Sequence, residues 1–230
     1  MTDNGTPFYE PWVGQSYFTS PFRNTRLLLV GESSFERDFI SQPDHLSSDT
    51  QCVADGGFEP RYAGFWRFIQ RSVTGEQEIR QAEQHKFWHG VSLVNWIQRP
   101  MSSKHARPTL DDYSVGCVAL KSYIDELNPS GVIVFSKIAW PYLVNAFGLT
   151  SAHVPLTDDA PVSELVFASN RGYSSNVFPG GQKFLLLRHP SSRPKMSGAS
   201  WAPLIHAFIK LVGHNKSLQP TSGRDAASRY

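Results

Sequence analysis

The stretch RLLLVGESS at residues 26–34 is apolar for four residues on end and turns polar at Gly31. An apolar run this short, without polar alternation, suits a strand covered on both faces, as in a parallel sheet. Three further runs read as strands: VSLVNW at 91–96, GVIVFS at 131–136 and KFLLLR at 183–188. Helical spacing fills the intervals. Tyr62, Phe65, Trp66 and Ile69 fall on one helix face, and Tyr113, Cys117, Leu120, Ile124 and Leu127 repeat the pattern over four turns. Thr109 followed by Asp112 reads as a variant capping box just after Pro108. Residues 138–147 read as a third helix closed by Gly148. Residues 200–212 read as a fourth, with Pro203 in its first turn and Gly213 as its stop. Strands alternating with helices predict an α/β fold, a three-layer α/β/α sandwich around a central four-stranded, mainly parallel sheet.

Composition agrees with one folded domain over residues 1–214. The chain has 230 residues, of which 40% are hydrophobic and 13% aromatic, richer than a disordered chain. Residues 38–60 are polar and predict a long loop or a partly helical excursion. Residues 149–182 predict a long insertion with a small hairpin at LVFAS and a Gly180-Gly181 turn. Residues 215–230 lack periodicity and read as a disordered tail. No apolar run approaches the roughly 18–20 residues of a membrane span. The first residues carry no basic region followed by an apolar stretch, so the expectation is a cytoplasmic protein that does not bind membranes. Cys52 and Cys117 are the two cysteines, which excludes a disulfide scaffold and any four-cysteine zinc or iron–sulfur site. A formal net charge of +2 is too small to argue for nucleic acid by itself.

In open α/β sheets ligands bind beyond the carboxyl ends of the strands. The four predicted strands end in Gly31-Glu32-Ser33-Ser34-Phe35, in Asn95, in Ser136-Lys137 and in Arg188-His189-Pro190-Ser191-Ser192-Arg193. Any strand leaving a core must turn polar, but a Glu, an Asn and a His on one rim suggest chemistry.

These motifs, LLLVGESSF, then VSLVNW, then LLLRHPSSR, resemble the uracil-DNA glycosylase superfamily. That family has a Gly motif after its first strand (GQDPY, GEAPG or GMNPG), an apolar strand ending in Asn and a late strand ending in HPS. The block FWHGVSLVNWIQRP is similar to a poorly characterised branch whose first motif reads GES. The likeness spans about residues 26–212. It implies strand order 2-1-3-4, a cleft where that order reverses, and hydrolysis of the N-glycosidic bond of a flipped damaged base, uracil or a deaminated purine. It further implies DNA, single- or double-stranded, as partner, a monomer, and no cofactor or metal.

Breaking a base–sugar bond leaves negative charge on the base and positive charge on the sugar, so oriented donors and anions should dominate the rate. By resemblance His189 supports the leaving base, Asn95 reads its edge, and Glu32 with Ser33 serves the water or the sugar cation. Gly31, Phe35 and Ser191 complete the base-binding set. The third motif position is Ser33 where several active branches carry Asp or Asn, and the fourth is Ser34 where Pro is usual. The GEAPG branch carries four cysteines, which this chain lacks. Arg193 stands where other members carry a Leu wedge or an Arg. Arg188, Arg193 and Lys195, with Arg99 and Lys104 on the loop after Asn95, are the expected DNA contacts. Structural alternatives are simple: His189 closing a turn, Asn95 capping one, Phe35 in the core, the cations solvated. Phe65 and Trp66 are candidates for stacking on a base, although aromatics at helical spacing are usually core.

Two other readings remain. One is a catalytically silent nucleic-acid- or nucleobase-binding module of the same fold, motivated by Ser33. The other is a serine hydrolase assembled from Ser33 or Ser34, His189 and Asp38 or Asp55, against which stands the absence of a GxSxG elbow. His85 and His89 stand at i, i+4, a spacing that suits a metal, but no HExxH pattern accompanies them, and no metal is assigned.

Overall fold

Side-chain alternation along one strand divides the core in two. Leu27 and Leu29 face one side of the sheet, Leu28 and Val30 the other, and all four are sealed from solvent. The computed structural model describes residues 7–34, 42–57, 64–103, 106–153, 166–170, 183–189 and 198–214. Its strands are β1 (Trp12–Val13), β2 (Leu27–Gly31), β3 (Ser92–Asn95), β4 (Gly131–Phe135), β5 (Leu149–His153), β6 (Val166–Asn170) and β7 (Lys183–Leu187). Its helices are α1 (His45–Ala54), α2 (Gly64–Thr74), α3 (Gln81–His89), α4 (Leu110–Leu127), α5 (Trp140–Phe147) and α6 (Ala202–His214).

Among the described residues the strands form one sheet in the order β1-β3-β2-β4-β7-β6-β5. The four apolar runs supply its centre, β3-β2-β4-β7, and pair in parallel. The expected strand count and full order need correction. A two-residue β1 adds antiparallel to β3, and β6 pairs antiparallel with both β7 and β5. Two residues are too few for any periodicity to register. LTSAH and VFASN lack the continuous apolar character that marks a central strand.

Leu27, Leu29, Leu93, Ile133, Phe135, Leu185 and Leu187 pack against α1, α2, α3 and α6. Leu28, Val30, Val94, Val132, Val134, Phe184 and Leu186 pack against α4 and α5 on the other face. Each fully buried aliphatic side chain contributes roughly 1.5–3 kcal/mol, so helices on both faces are what a sheet apolar on both faces requires.

The helix ends follow their local chemistry. At α4 the Asp112 N–H donates to Thr109 Oγ1 at 3.2 Å, and the Thr109 N–H donates to Asp112 Oδ2 at 2.6 Å. α5 stops at Gly148, whose φ of 57° is left-handed and costs glycine little. Gly213, expected as the stop of the last helix, instead lies within α6, which runs to His214. A glycine in a final turn costs only about 1 kcal/mol against Ala. The polar stretch at 38–60 contains α1. No described helix is long and apolar enough to cross a membrane. The Gly180-Gly181 turn and the 215–230 tail lie outside the described residues.

Candidate active site

Gly31 and Asn95 are register partners at the carboxyl ends of β2 and β3. Pairing then continues beyond the sheet. The N–H of Trp96 donates to Gly31 O at 2.9 Å, that of Ile97 to Glu32 O at 2.9 Å, and that of Met101 to Ser34 O at 2.8 Å. Residues 31–34 are thereby held along the loop that follows Asn95. Buried Gln98 fixes that loop from behind. Its Nε2 donates to Asn95 O at 2.8 Å, while its Oε1 accepts from the Tyr9 N–H at 3.2 Å and from Tyr123 Oη at 3.1 Å.

On this frame the polar side chains meet. Asn95 is 4% exposed, and its Nδ2 donates to Ser34 Oγ at 2.7 Å. Ser136, fully buried just past β4, donates its hydroxyl to Glu32 Oε2 at 2.6 Å and receives the Ala139 N–H at 3.3 Å. His189, two residues past β7, is half-buried. Burial lowers its pKa, while the Glu32 carboxylate acts in the opposite sense, and the net direction is down. Glu32 and His189 therefore share one electrostatic environment. The Phe65 ring lies nearly parallel to the His189 ring, 23° off, with centroids 6.4 Å apart.

Gly31 forms the floor. A Cβ there would stand 2.6 Å from Asn95 Oδ1 and 3.0 Å from Phe65 Cζ, so glycine is what lets the amide and the ring approach. Tyr113 on α4 is close enough to Glu32 to feel its charge. Burial first, then Tyr142 and Glu32, raise the Tyr113 pKa. Tyr113 itself lies between Trp96 and Tyr142, at centroid distances of 5.1 and 4.2 Å.

Of the residues singled out from sequence, Gly31, Glu32, Asn95 and His189 gather at this rim, and Ser33 stands half-buried between Glu32 and Ser34. Arg188 is half-buried beside His189. Arg99 plays a structural part, since its Nε and Nη2 reach Asp112 Oδ1 and Oδ2 at 2.6 and 2.7 Å, a two-pronged pair at the start of α4. Phe35, Lys104, Ser191, Arg193 and Lys195 lie outside the described residues.

Three participants were undervalued in the sequence. Ser34 reads as a departure from a motif, yet it orients the Asn95 amide. Ser136 reads as an ordinary strand end, yet it grips Glu32. Phe65 is one of two stacking candidates at positions that usually belong to a core, and it is the one that faces the histidine. The signal available for Ser136 was its place at the tip of a central strand.

Chemically the rim holds a carboxylate fixed by one hydroxyl, an amide fixed by another, an imidazole whose environment favours the neutral form, and a flat apolar face. That set can bind a planar polar heterocycle and move charge across it. Among the described residues, the cluster of metal-ligating side chains lies elsewhere, between α1 and α3. No family model matches the chain, and no curated protein matches it.

Proposed function

We propose that the chain is a DNA base-excision enzyme of the uracil-DNA glycosylase type, hydrolysing the N-glycosidic bond of a base flipped out of the stack. The observation that carries this reading is the gathering of Glu32, Asn95 and His189 beside Gly31 and Phe65. These groups come from the ends of three different parallel strands and the face of α2. The order of the parallel centre, β3-β2-β4-β7, supports it, being the arrangement that the motif resemblance implies for the four apolar strands.

In this reading the base slides against Phe65. Asn95, its Nδ2 directed to Ser34, offers Oδ1 as an acceptor for an N–H on the base edge. As the C1′–N bond breaks, its electron pair leaves with the base. The neutral His189 imidazole donates its N–H to the base oxygen where that charge collects. Glu32, steadied by Ser136, faces the cationic sugar and receives the proton of the attacking water. Ser33 carries a neutral hydroxyl, which is too weakly basic to take that proton, and serves only to hydrogen-bond the water. No step needs a cofactor. Arg188 beside the rim provides a phosphate contact.

The test is strand cleavage after alkaline treatment of oligonucleotides carrying uracil, hypoxanthine or a mismatch, single- and double-stranded. Release from at least one substrate, abolished by Glu32→Gln and by His189→Ala, is expected. A folded chain that releases no base from any of them overturns the reading. Salt-sensitive DNA binding without turnover would favour the silent binding module, for which Ser33 is the motivating residue.

A further inference from the structure

At the end of β3 away from Asn95, three side chains from two helices close on one point. His85 and His89 project from the last turns of α3, their ring centroids 4.2 Å apart. Asp55, the residue that caps α1, brings its Oδ1 to 3.9 Å from His89 Nε2. One ligand atom from each of the three lies within 4.8 Å of the others.

The surroundings favour a cation here. His89 is 3% exposed, and its Nε2 is buried with no hydrogen-bond partner, a costly state for a polar nitrogen aimed at a carboxylate and a second imidazole. Asp55 Oδ2 is held by Gln51 Nε2 at 2.7 Å, which leaves Oδ1 directed at the histidines. Such outer partners orient carboxylate ligands in metal sites. Gln81 and Gln84 of α3 donate to the carbonyls of Asp55 and Val53, tying the end of α1 to α3. The carboxyl end of a helix also carries partial negative charge.

We propose that Asp55, His85 and His89 form a binding site for a late first-row divalent cation, zinc above all, completed by water. Two imidazoles and one carboxylate with an open fourth position are a zinc donor set. Tetrahedral ligands at about 2.0–2.1 Å from zinc stand roughly 3.3 Å apart. The three groups must therefore draw together. The side chains of Asp55 and His85 are exposed and can shift, Asp55 about its bond from Gln51, whereas His89 stays where the core holds it. Binding through His89 Nε2 places the ring proton on Nδ1. The Gln15 N–H now approaches that atom at 3.4 Å, so this weak contact opens when the ion enters. The ion would clamp α1 to α3, the helix that leads into β3. The inference is independent of the chemistry assigned to the opposite rim.

The test is a Zn2+ titration of the full chain against a chromophoric chelator, with Co2+ as a spectroscopic probe. His85→Ala and Asp55→Asn are the variants, both at exposed positions that leave the core intact. One Zn2+ per chain, visible Co2+ bands of a four-coordinate site, and a shift of the Gln15 amide resonance on Zn2+ addition are expected. Each variant should weaken Zn2+ binding by more than the ~10–100-fold typical of losing an outer partner. Wild-type binding no tighter than that of the two variants, or loss with His85→Ala but not with Asp55→Asn, overturns the three-ligand site.

Discussion

Ser136 Oγ lies 2.6 Å from Glu32 Oε2 and so ties the residue after β4 to the residue after β2. Hydrogen bonds to an ionised group contribute roughly 1.5–3 kcal/mol. If Glu32 faces the reacting sugar, Ser136 acts through it as a positioning residue. Ser136→Ala is expected to lower the rate of base release about 10–100-fold, at 1.36 kcal/mol per tenfold, with substrate affinity nearly unchanged. Single-turnover kinetics with a parallel urea melt checks this. An unchanged rate in a folded variant removes Ser136 as a positioning residue for Glu32.

Gly31→Ala should act at the same place by steric means. The added methyl would stand 2.6 Å from Asn95 Oδ1, and Asn95 is anchored to Ser34, so the amide must swing away from its hydroxyl partner. Overpacking of this kind costs typically 1–3 kcal/mol. Urea denaturation should register that loss, and binding of a free nucleobase should weaken with it. Retention of both would mean that the floor of the site yields more easily than its contacts suggest.

How much of this was written in the chain can be judged residue by residue. The four central strands were legible because LLLVG, GVIVF and KFLLL are almost continuously apolar, as strands covered on both faces are, and SLVN carries a short apolar pair between polar ends. The α4 cap was legible because Thr109 and Asp112 act locally, three residues apart. The outer strands were legible only in part: LVFAS reads as a hairpin strand, and β6 lies there, antiparallel to β7, whereas the two-residue β1 and the polar-interrupted β5 carry no such signal. In the site, Glu32, Asn95 and His189 were legible as strand tips. The links of Ser34 to Asn95 and of Ser136 to Glu32 were not, because each joins residues far apart in the chain. Arg99 carries a link that its place in a basic loop does not reveal, its pairing with Asp112 at the start of α4. Asp55 was likewise invisible beside His85 and His89, because the carboxylate comes from another helix.

Stability should fall on mild acidification, through histidines held neutral by the fold. Burial lowers the pKa of His189 against the opposing effect of Glu32. Burial, then Arg23, lowers that of His206, whose Nε2 pairs with Val73 O at 2.9 Å. Both folded values lie below the ordinary ~6.5, so the unfolded chain takes up protons first. The contribution is complete above pH ~6.5 and is lost as pH falls through the depressed folded values. Urea midpoints measured between pH 7.5 and 5 should decline. His206→Gln, which keeps a donor for Val73, should flatten part of that slope. A flat profile in the wild type would contradict the assignment.

Arg99 and Arg188 should part company when DNA binding is measured against salt. The guanidinium of Arg99 is engaged edge-on by Asp112, whose pKa is lowered chiefly by that bond and further by Thr109. Asp112 thus supports both the α4 cap and the loop after Asn95. Asp112→Asn is expected to cost about 0.5–2 kcal/mol, the usual range for a lost cap. The pair's stabilisation is present above the ordinary carboxylate pKa of ~3.9 and is lost as pH falls through the depressed folded value. Arg99→Ala should lower stability while leaving the slope of log K against log salt unchanged. Arg188→Ala should lessen that slope by about 1, as loss of one phosphate contact does. The opposite pattern would return Arg99 to the DNA interface and make Asp112 its resting partner.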